Sequence, residues 1–206
     1  IRDSVASRWL GDVYKRQSPG GKTTALADDM HNDGLLVAAD IRHQRLSLLS
    51  QTLIQYNVSS ASLFRLEVLA GLPFSSNFDC VLGDAPCSGL GEIRRAPEIR
   101  RRRTEADLTR YHELQPTMLE HAATGVRPGG RLIYGTCSSE PEENEEVVEE
   151  FLNHHSDFSL HDFRENDRSL SSELSAVFDQ KGQLRTSPPE HGLDAFFAAR
   201  LVRLST

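Results

Sequence analysis

The 206-residue sequence predicts an α/β fold with a mostly parallel sheet in one domain. Two observations carry that reading. Short continuous apolar runs alternate along the chain with segments whose apolar residues recur at helical spacing. Runs end at Asp40, at Asp84 and at Thr136-Cys137-Ser138, so three groups capable of chemistry fall just past strand ends. In a parallel sheet those ends share one edge, and ligands bind there near the point where strand order reverses.

The elements follow in order. Residues 1–17 (IRDSVASRWLGDVYKRQ) show no clean period of 2 or 3.6. They resemble translated sequencing adaptor, so they are expected to form a non-native arm outside the fold; an arm with a short helix is the alternative. Pro19-Gly20-Gly21 reads as a turn opening a helix from Lys22 to about Met30. Leu35 to Ala39 is a continuous apolar run, as in a strand buried on both faces. Leu46, Leu49, Leu53 and Ile54 mark a second helix. Ala61 to Leu66 and Phe78 to Leu82 are the next strands, the latter ending at Gly83-Asp84. Thr104 to Ala123 is a long amphipathic helix, stopped by Gly125 and by Pro128-Gly129-Gly130. Arg131 to Gly135 is a strand. Pro141 to His154 is a helix with Glu142, Glu143, Glu145 and Glu146 in its first turns, where the helix dipole favours anions. Segment 164–192 reads as a long polar loop. Asp194 to Leu204, with Phe196-Phe197-Ala198-Ala199 at its centre, closes the sheet.

Composition excludes several classes. No apolar run approaches the ~18 residues of a membrane helix, so no membrane partner is expected. Three cysteines, Cys80, Cys87 and Cys137, do not make a disulfide framework; a reducing, cytoplasmic setting and a monomer are expected. Lys and Arg number 23 against 30 Asp and Glu, a net charge of −7, which is not the usual signature of a nucleic-acid binder. Local clusters must therefore supply any attraction for a polyanion.

Four motifs carry chemistry. Ser18-Pro19-Gly20-Gly21-Lys22-Thr23 puts a glycine turn at a helix start, where backbone N–H groups can meet a ligand. A P-loop would need glycine at position 16, where Arg16 stands, so the pattern fails and a P-loop nucleotide hydrolase, which would bind ATP, is a weakened third reading. Asp40 follows the next strand, where nucleotide-binding folds place a ribose-binding carboxylate; a helix cap is its ordinary alternative. In Asp84-Ala85-Pro86-Cys87-Ser88-Gly89, a carboxylate and a thiol sit in a constrained loop straight after a strand. Cys137, in Gly135-Thr136-Cys137-Ser138-Ser139, lies between a strand and a helix N-terminus, a place that favours thiolate. Two thiols on two strand-end loops suit a reaction with two thiol roles, against the alternative of inert core cysteines. No local Cys–His pair and no CxxC spacing occur, which argues against a thiol protease, zinc or disulfide exchange. Last, Arg94, Arg95, Arg100, Arg101, Arg102 and Arg103 cluster just after the Asp84 loop, which suits a polyanionic substrate with bases to stack on.

Together these motifs resemble the RNA cytosine-5 methyltransferases of the Nol1/Nop2/Sun type, and among them the bacterial 16S ribosomal-RNA enzymes. The resemblance spans about Ser18 to Arg203. It rests on Asp84–Gly89, on Thr136-Cys137-Ser138 with Pro141-Glu142-Glu143-Asn144-Glu145, on Leu72-Pro73-Phe74 and on Asp194-Ala195-Phe196-Phe197. It implies a class I, Rossmann-like methyltransferase domain over residues 18–206, with six parallel strands and one antiparallel, and S-adenosylmethionine as cofactor. It implies Cys137 as nucleophile, Cys87 as the second thiol and Asp84 beside both cofactor and base. Pro19, Gly20, Gly21, Lys22, Asp40, Arg45 and Glu67 would bind cofactor, Glu67 standing where the family has an aspartate. Arg94, Arg95, Arg100 and Arg101 would bind RNA, and no metal is implied. Transfer RNA is the alternative substrate, and a non-catalytic RNA-binding fragment the alternative of another class. Tyr14-Lys15-Arg16-Gln17-Ser18 stands where the family has a strand ending in Asp-x-Cys-Ala-Ala. The first, central strand is therefore expected to be lost or replaced.

Overall fold

The computed structural model describes residues 3–8, 20–74, 78–166 and 175–205. The expected gap at the centre of the sheet is filled. Asp3–Arg8 forms β1, parallel to Leu35–Asp40 (β2) on one side and to Phe78–Asp84 (β4) on the other. The aperiodic side-chain pattern of the first residues hides this, because backbone pairing to two neighbours needs no alternation. Ser18 and Pro19 lie outside the described residues.

The remaining strands are Ala61–Arg65 (β3), Val126–Thr136 (β5), Phe158–His161 (β6), Leu184–Thr186 (β7) and Phe196–Arg203 (β8). Their order is β3-β2-β1-β4-β5-β8-β6, with β7 also on β8. β8 runs antiparallel to β5, β6 and β7; the pairs among β1 to β5 are parallel. This is the expected six-plus-one arrangement, with short β7 as an eighth strand in line with β6. Strand order reverses between β1 and β4, which makes their carboxyl ends the favoured ligand edge.

Helices cover the sheet. They are Gly21–Asp29 (α1), His43–Gln55 (α2), Ile99–Arg102 (α3), Glu105–Thr124 (α4), Glu145–His154 (α5) and Pro188–His191 (α6). α2 buries Leu46, Leu49 and Leu53 but leaves Ile54 exposed. α4 starts with a capping box between Thr104 and Asp107 and buries Met118, Leu119 and Ala122 against Leu132, Tyr134, Phe197 and Leu201 of the sheet. α5 buries Val147, Val148 and Phe151 in the same core.

Three expectations are corrected. Pro128-Gly129-Gly130 does not precede a strand; it lies inside β5, where the pairing with β4 shifts register between Phe78 and Cys80. A Cβ at Gly130 would press on the Phe78 and Arg127 carbonyls, so glycine serves this irregularity rather than a stop. The helix from Pro141 is broken: Pro141–Glu143 is a 3-10 turn and α5 starts only at Glu145, because Asn144 leaves helical geometry. Segment 164–192 is not simply a loop, since it carries β7 and α6; β6, before it, carried no clear apolar period.

Removing residues 1–8 would leave the facing ladders of β2 and β4 unpaired in the middle of the sheet. A chain so shortened is expected to lose its cooperative urea transition, read by circular dichroism.

Candidate active site

The strand register lines up the site. Arg8 lies across from both Asp40 and Asp84, Asp40 across from Arg65, and Asp84 across from Gly135. With neighbouring strands about 5 Å apart, Asp40 and Asp84 stand about 10 Å from each other on one edge. The loops beyond that edge carry the chemistry.

Short backbone bonds draw these loops together. Ala85 N–H donates to the Gly135 carbonyl (2.8 Å), Gly91 N–H to the Cys137 carbonyl (3.1 Å) and Ala195 N–H to the Gly91 carbonyl (3.1 Å). A Cβ at Gly91 would press into the Ala195 and Cys137 carbonyl oxygens, so the closeness of the three loops requires glycine there. Gln115 of α4, fully buried, donates from Nε2 to the Pro86 carbonyl (2.7 Å), and Arg103 Nε donates to the Ser88 carbonyl (2.8 Å).

The result is a contact between the two thiols: Cys87 Sγ and Cys137 Sγ are 3.3 Å apart. Cys87 is buried and Cys137 is partly exposed, so an incoming group meets Cys137 first. The hydrogen bond to Cys137 pushes the Cys87 thiol well above its usual value; burial and the nearby charges of Cys137 and Glu143 add to the rise. Cys87 therefore holds its proton, and the two sulfurs share a hydrogen bond. Asp84 lies alongside, its Oδ2 2.9 Å from Lys22 Nζ, and the same ammonium sits 5.8 Å from the centre of the Phe196 ring.

At the neighbouring strand end, Asp40 Oδ1 accepts Arg42 N–H (2.7 Å) and Oδ2 lies 3.6 Å from Arg45 Nη1. α1 begins at Gly21 without a side-chain cap. Gly20 holds φ at 121°, where a Cβ would strike Leu49, whereas a Cβ at Gly21 would meet open space. An uncapped helix start, a bare backbone beside open space and strand-end carboxylates fit a nucleoside cofactor. Glu67 is exposed just past β3, at the start of the turn Val68–Ala70. Pro19 lies outside the described residues.

Arg94, Arg95, Arg100 and Arg101 are exposed. Two of them also hold the segment before β8: Arg94 donates to the Gly192 carbonyl (3.1 Å) and Arg95 pairs with Asp194 (2.5 Å). Sequence reasoning missed Gln115, Tyr134 and the burial of Glu143 between the thiol loops. Gln115 gave no signal beyond a polar residue on the apolar face of a helix. Among the described residues, no group of three or more His, Cys, Asp or Glu could hold a metal ion, and no helix is long and apolar enough to cross a membrane.

Residues 14–202 match the family described as 16S rRNA methyltransferase RsmB/F. The chain belongs to this family. Curated RsmB/F-type relatives include a probable ribosomal RNA small subunit methyltransferase B of Bacillus subtilis, 33% identical over 87% of this chain. A ribosomal RNA small subunit methyltransferase F of Vibrio campbellii is 32% identical over 91%. The chain spans about 40% of the length of these two relatives, 40% and 39%. Among solved structures, a methyltransferase homologue from Pyrococcus horikoshii aligns with a TM-score of 0.75 at 32% identity, covering 98% of this chain and 62% of that one. NSun6 from the same organism, solved with SFG, aligns with a TM-score of 0.76 at 25% identity, covering 98% and 48%. The fold is that of S-adenosylmethionine-dependent class I methyltransferases, and S-adenosylmethionine is the cofactor that the family uses.

The Cys87 environment predicts a pH profile. Its thiolate is scarce at and below pH 9.0, so alkylation of Cys87 by iodoacetamide stays slow there and rises only above it. In a Cys137→Ala protein the hydrogen bond and the facing charge are both gone, and the rise moves to lower pH. Peptide mass spectrometry reads both profiles; superimposable curves would contradict the proton assignment.

Proposed function

We propose that this chain is the catalytic domain of an RNA methyltransferase that acts on carbon 5 of cytosine in 16S rRNA through a covalent adduct at Cys137. The observation that carries this reading is the pair of thiols in contact on two strand-end loops, beside the Asp84–Lys22 pair. Carbon 5 of cytosine is a poor nucleophile until carbon 6 gains an electron-rich substituent, so a thiol partner gives the reaction a path.

Cys137 is the exposed partner and attacks carbon 6. The S–C bond forms, and the ring's double-bond electrons move to carbon 5, with charge reaching the ring nitrogen. Asp84 hydrogen-bonds that nitrogen as charge develops there, and Lys22 holds the carboxylate in place. S-adenosylmethionine supplies an electrophilic methyl group. Gly20, Gly21 and Lys22 at the α1 start, Asp40 with Arg45, and Glu67 further along the edge are the residues that would hold this cofactor, and Asp84 would lie at its methionine end; Pro19 is assigned with them from the sequence.

The Cys87 sulfur, its own proton given up to water, then takes the hydrogen of carbon 5 as a proton; the C–H electrons re-form the ring double bond and the S–C bond breaks with its electrons returning to Cys137. Cys87 assists this breakdown. Once Cys137 is bonded to carbon, it no longer accepts the Cys87 hydrogen bond or faces it with charge. The two contributions of Cys137 that made Cys87 hold its proton have then gone, and only burial and the charge of Glu143 still raise it. The base must leave its stack to reach these thiols. Arg94, Arg95, Arg100 and Arg101 attract the RNA backbone to an otherwise acidic protein.

We read residues 1–17 as a non-native arm and 18–206 as the domain proper. In this reading the Asp3–Arg8 stretch of the arm nonetheless takes the central place in the sheet. One second reading is an RNA-binding fragment without turnover, which would use the exposed Arg94, Arg95, Arg100 and Arg101 alone.

The test is transfer of labelled methyl from S-adenosylmethionine to 16S rRNA, with transfer RNA as competitor and nuclease digestion to identify the product. Labelled 5-methylcytosine in the 16S rRNA is expected, and Cys137→Ala is expected to lower the rate at least about 1,000-fold. Preference for transfer RNA would overturn the substrate. Salt-dependent RNA binding by the folded protein with no transfer would favour the second reading.

A further inference from the structure

The residues that follow the two thiols share one acceptor. Glu143 is completely buried. Its Oε1 accepts Ser88 N–H (2.7 Å), and its Oε2 accepts Ser88 Oγ–H (2.6 Å). The same Oε2 accepts the hydroxyl of Ser138. Ser88 directly follows Cys87, and Ser138 directly follows Cys137. One carboxylate therefore grips both loops at the position next to each sulfur.

Glu143 is itself fixed from several sides. The hydroxyl of Tyr134, inside β5, donates to the Glu143 carbonyl (2.6 Å). Next in the chain, Asn144 accepts from Thr136 Oγ1 (2.5 Å) and donates to the Ser138 carbonyl (3.1 Å). These bonds account for the break between the 3-10 turn and α5: the chain leaves helical geometry where its side chains turn back to the Cys137 loop. A buried carboxylate is costly unless several donors reach it, and an apolar side chain would fill the same space without that cost. Among the described residues, its three donors all come from the two thiol loops.

We propose that Glu143 is a positioning residue for the thiol chemistry, setting the separation of the two sulfurs by holding Ser88 and Ser138. This inference rests on the methyltransferase reading above. Glu143 touches neither substrate nor reacting atoms; it acts through the loops. A misplacement of about 1 Å at reacting groups costs on the order of 100-fold in rate. The grip also explains why the 50-residue separation of the thiols in sequence does not leave their contact to chance.

The test uses two readouts on the full chain. Dibromobimane reports the sulfur–sulfur spacing without any methyl transfer, because it fluoresces when it bridges two nearby thiols. Methyl transfer to 16S rRNA gives kcat and KM. Glu143→Gln keeps the shape of the side chain but replaces the charged oxygen that accepts both hydroxyls with an amide N–H, so neither hydroxyl can donate there. The folded variant is expected to lose most of the bridging signal and to fall about 100-fold in kcat, with KM for RNA and for S-adenosylmethionine within about twofold of the parent. Unchanged bridging in folded Glu143→Gln would overturn the proposal, as would unchanged kcat.

If Glu143→Gln does not fold, Ser88→Ala and Ser138→Ala each remove one grip from the same carboxylate. Each is expected to show reduced bridging and reduced kcat; parental values in both would overturn the proposal. If the parent protein transfers no methyl at all, the functional reading fails, while the bridging assay still decides whether Glu143 sets the spacing.

Discussion

The carboxylate of Glu143, buried and bonded to Ser88 and Ser138, is the interaction on which the arrangement of the strand-end edge depends. Charge-assisted bonds of this kind are the strong ones, and the burial of Glu143 shields them from competition by bulk solvent. They oblige two loops, from β4 and from β5, to end at one point. Gly91 lets the backbone of a third segment close over that point, and Gln115 supports it from behind. A contact between two thiols is otherwise a weak interaction, and this surrounding frame is what fixes its geometry.

The same frame divides the two thiols by environment. Cys137 reaches the surface, while Cys87 is buried behind it and keeps its proton through the bond to its neighbour. Two groups of the same chemistry thus become unequal through burial and one hydrogen bond, which is how a protein assigns different roles to like residues. The edge is also divided along its length. Asp40 and Arg45 form one polar station, Asp84 and Lys22 a second, and the sulfurs a third. That succession follows from parallel strands whose ends are in register.

Much of this was legible in the sequence, for physical reasons that differ by element. β2 is buried from Leu36 on, so its apolar run is continuous and ends sharply at Asp40; β4 buries Phe78, Val81 and Gly83, and its apolar residues stop before Asp84. α4 carries a capping box and a clear apolar stripe, and its bounds were readable to within a residue or so. β1 was not legible, because its place is decided by backbone pairing on both sides rather than by its own pattern. β6 and β7 are short edge strands whose residues are mostly half-buried, so they carry no clean alternation. At the site, the strand-end position of each motif exposed Asp84, Cys87 and Cys137. Glu143 looked like one of several acids favoured by a helix dipole, and its burial depends on a long-range partner, Ser88, 55 residues away. No local pattern could have shown that.

The measurement that tests the account most directly is the fate of RNA on a Cys87→Ala protein. With S-adenosylmethionine and 16S rRNA, this protein is expected to accumulate an RNA–protein complex that survives denaturing electrophoresis, because the S–C bond forms but its breakdown is impaired. Peptide mapping should place the linked nucleotide, a methylated cytosine, on Cys137. Normal turnover with no stable complex, or a linkage to any other residue, would contradict the roles assigned to the two thiols.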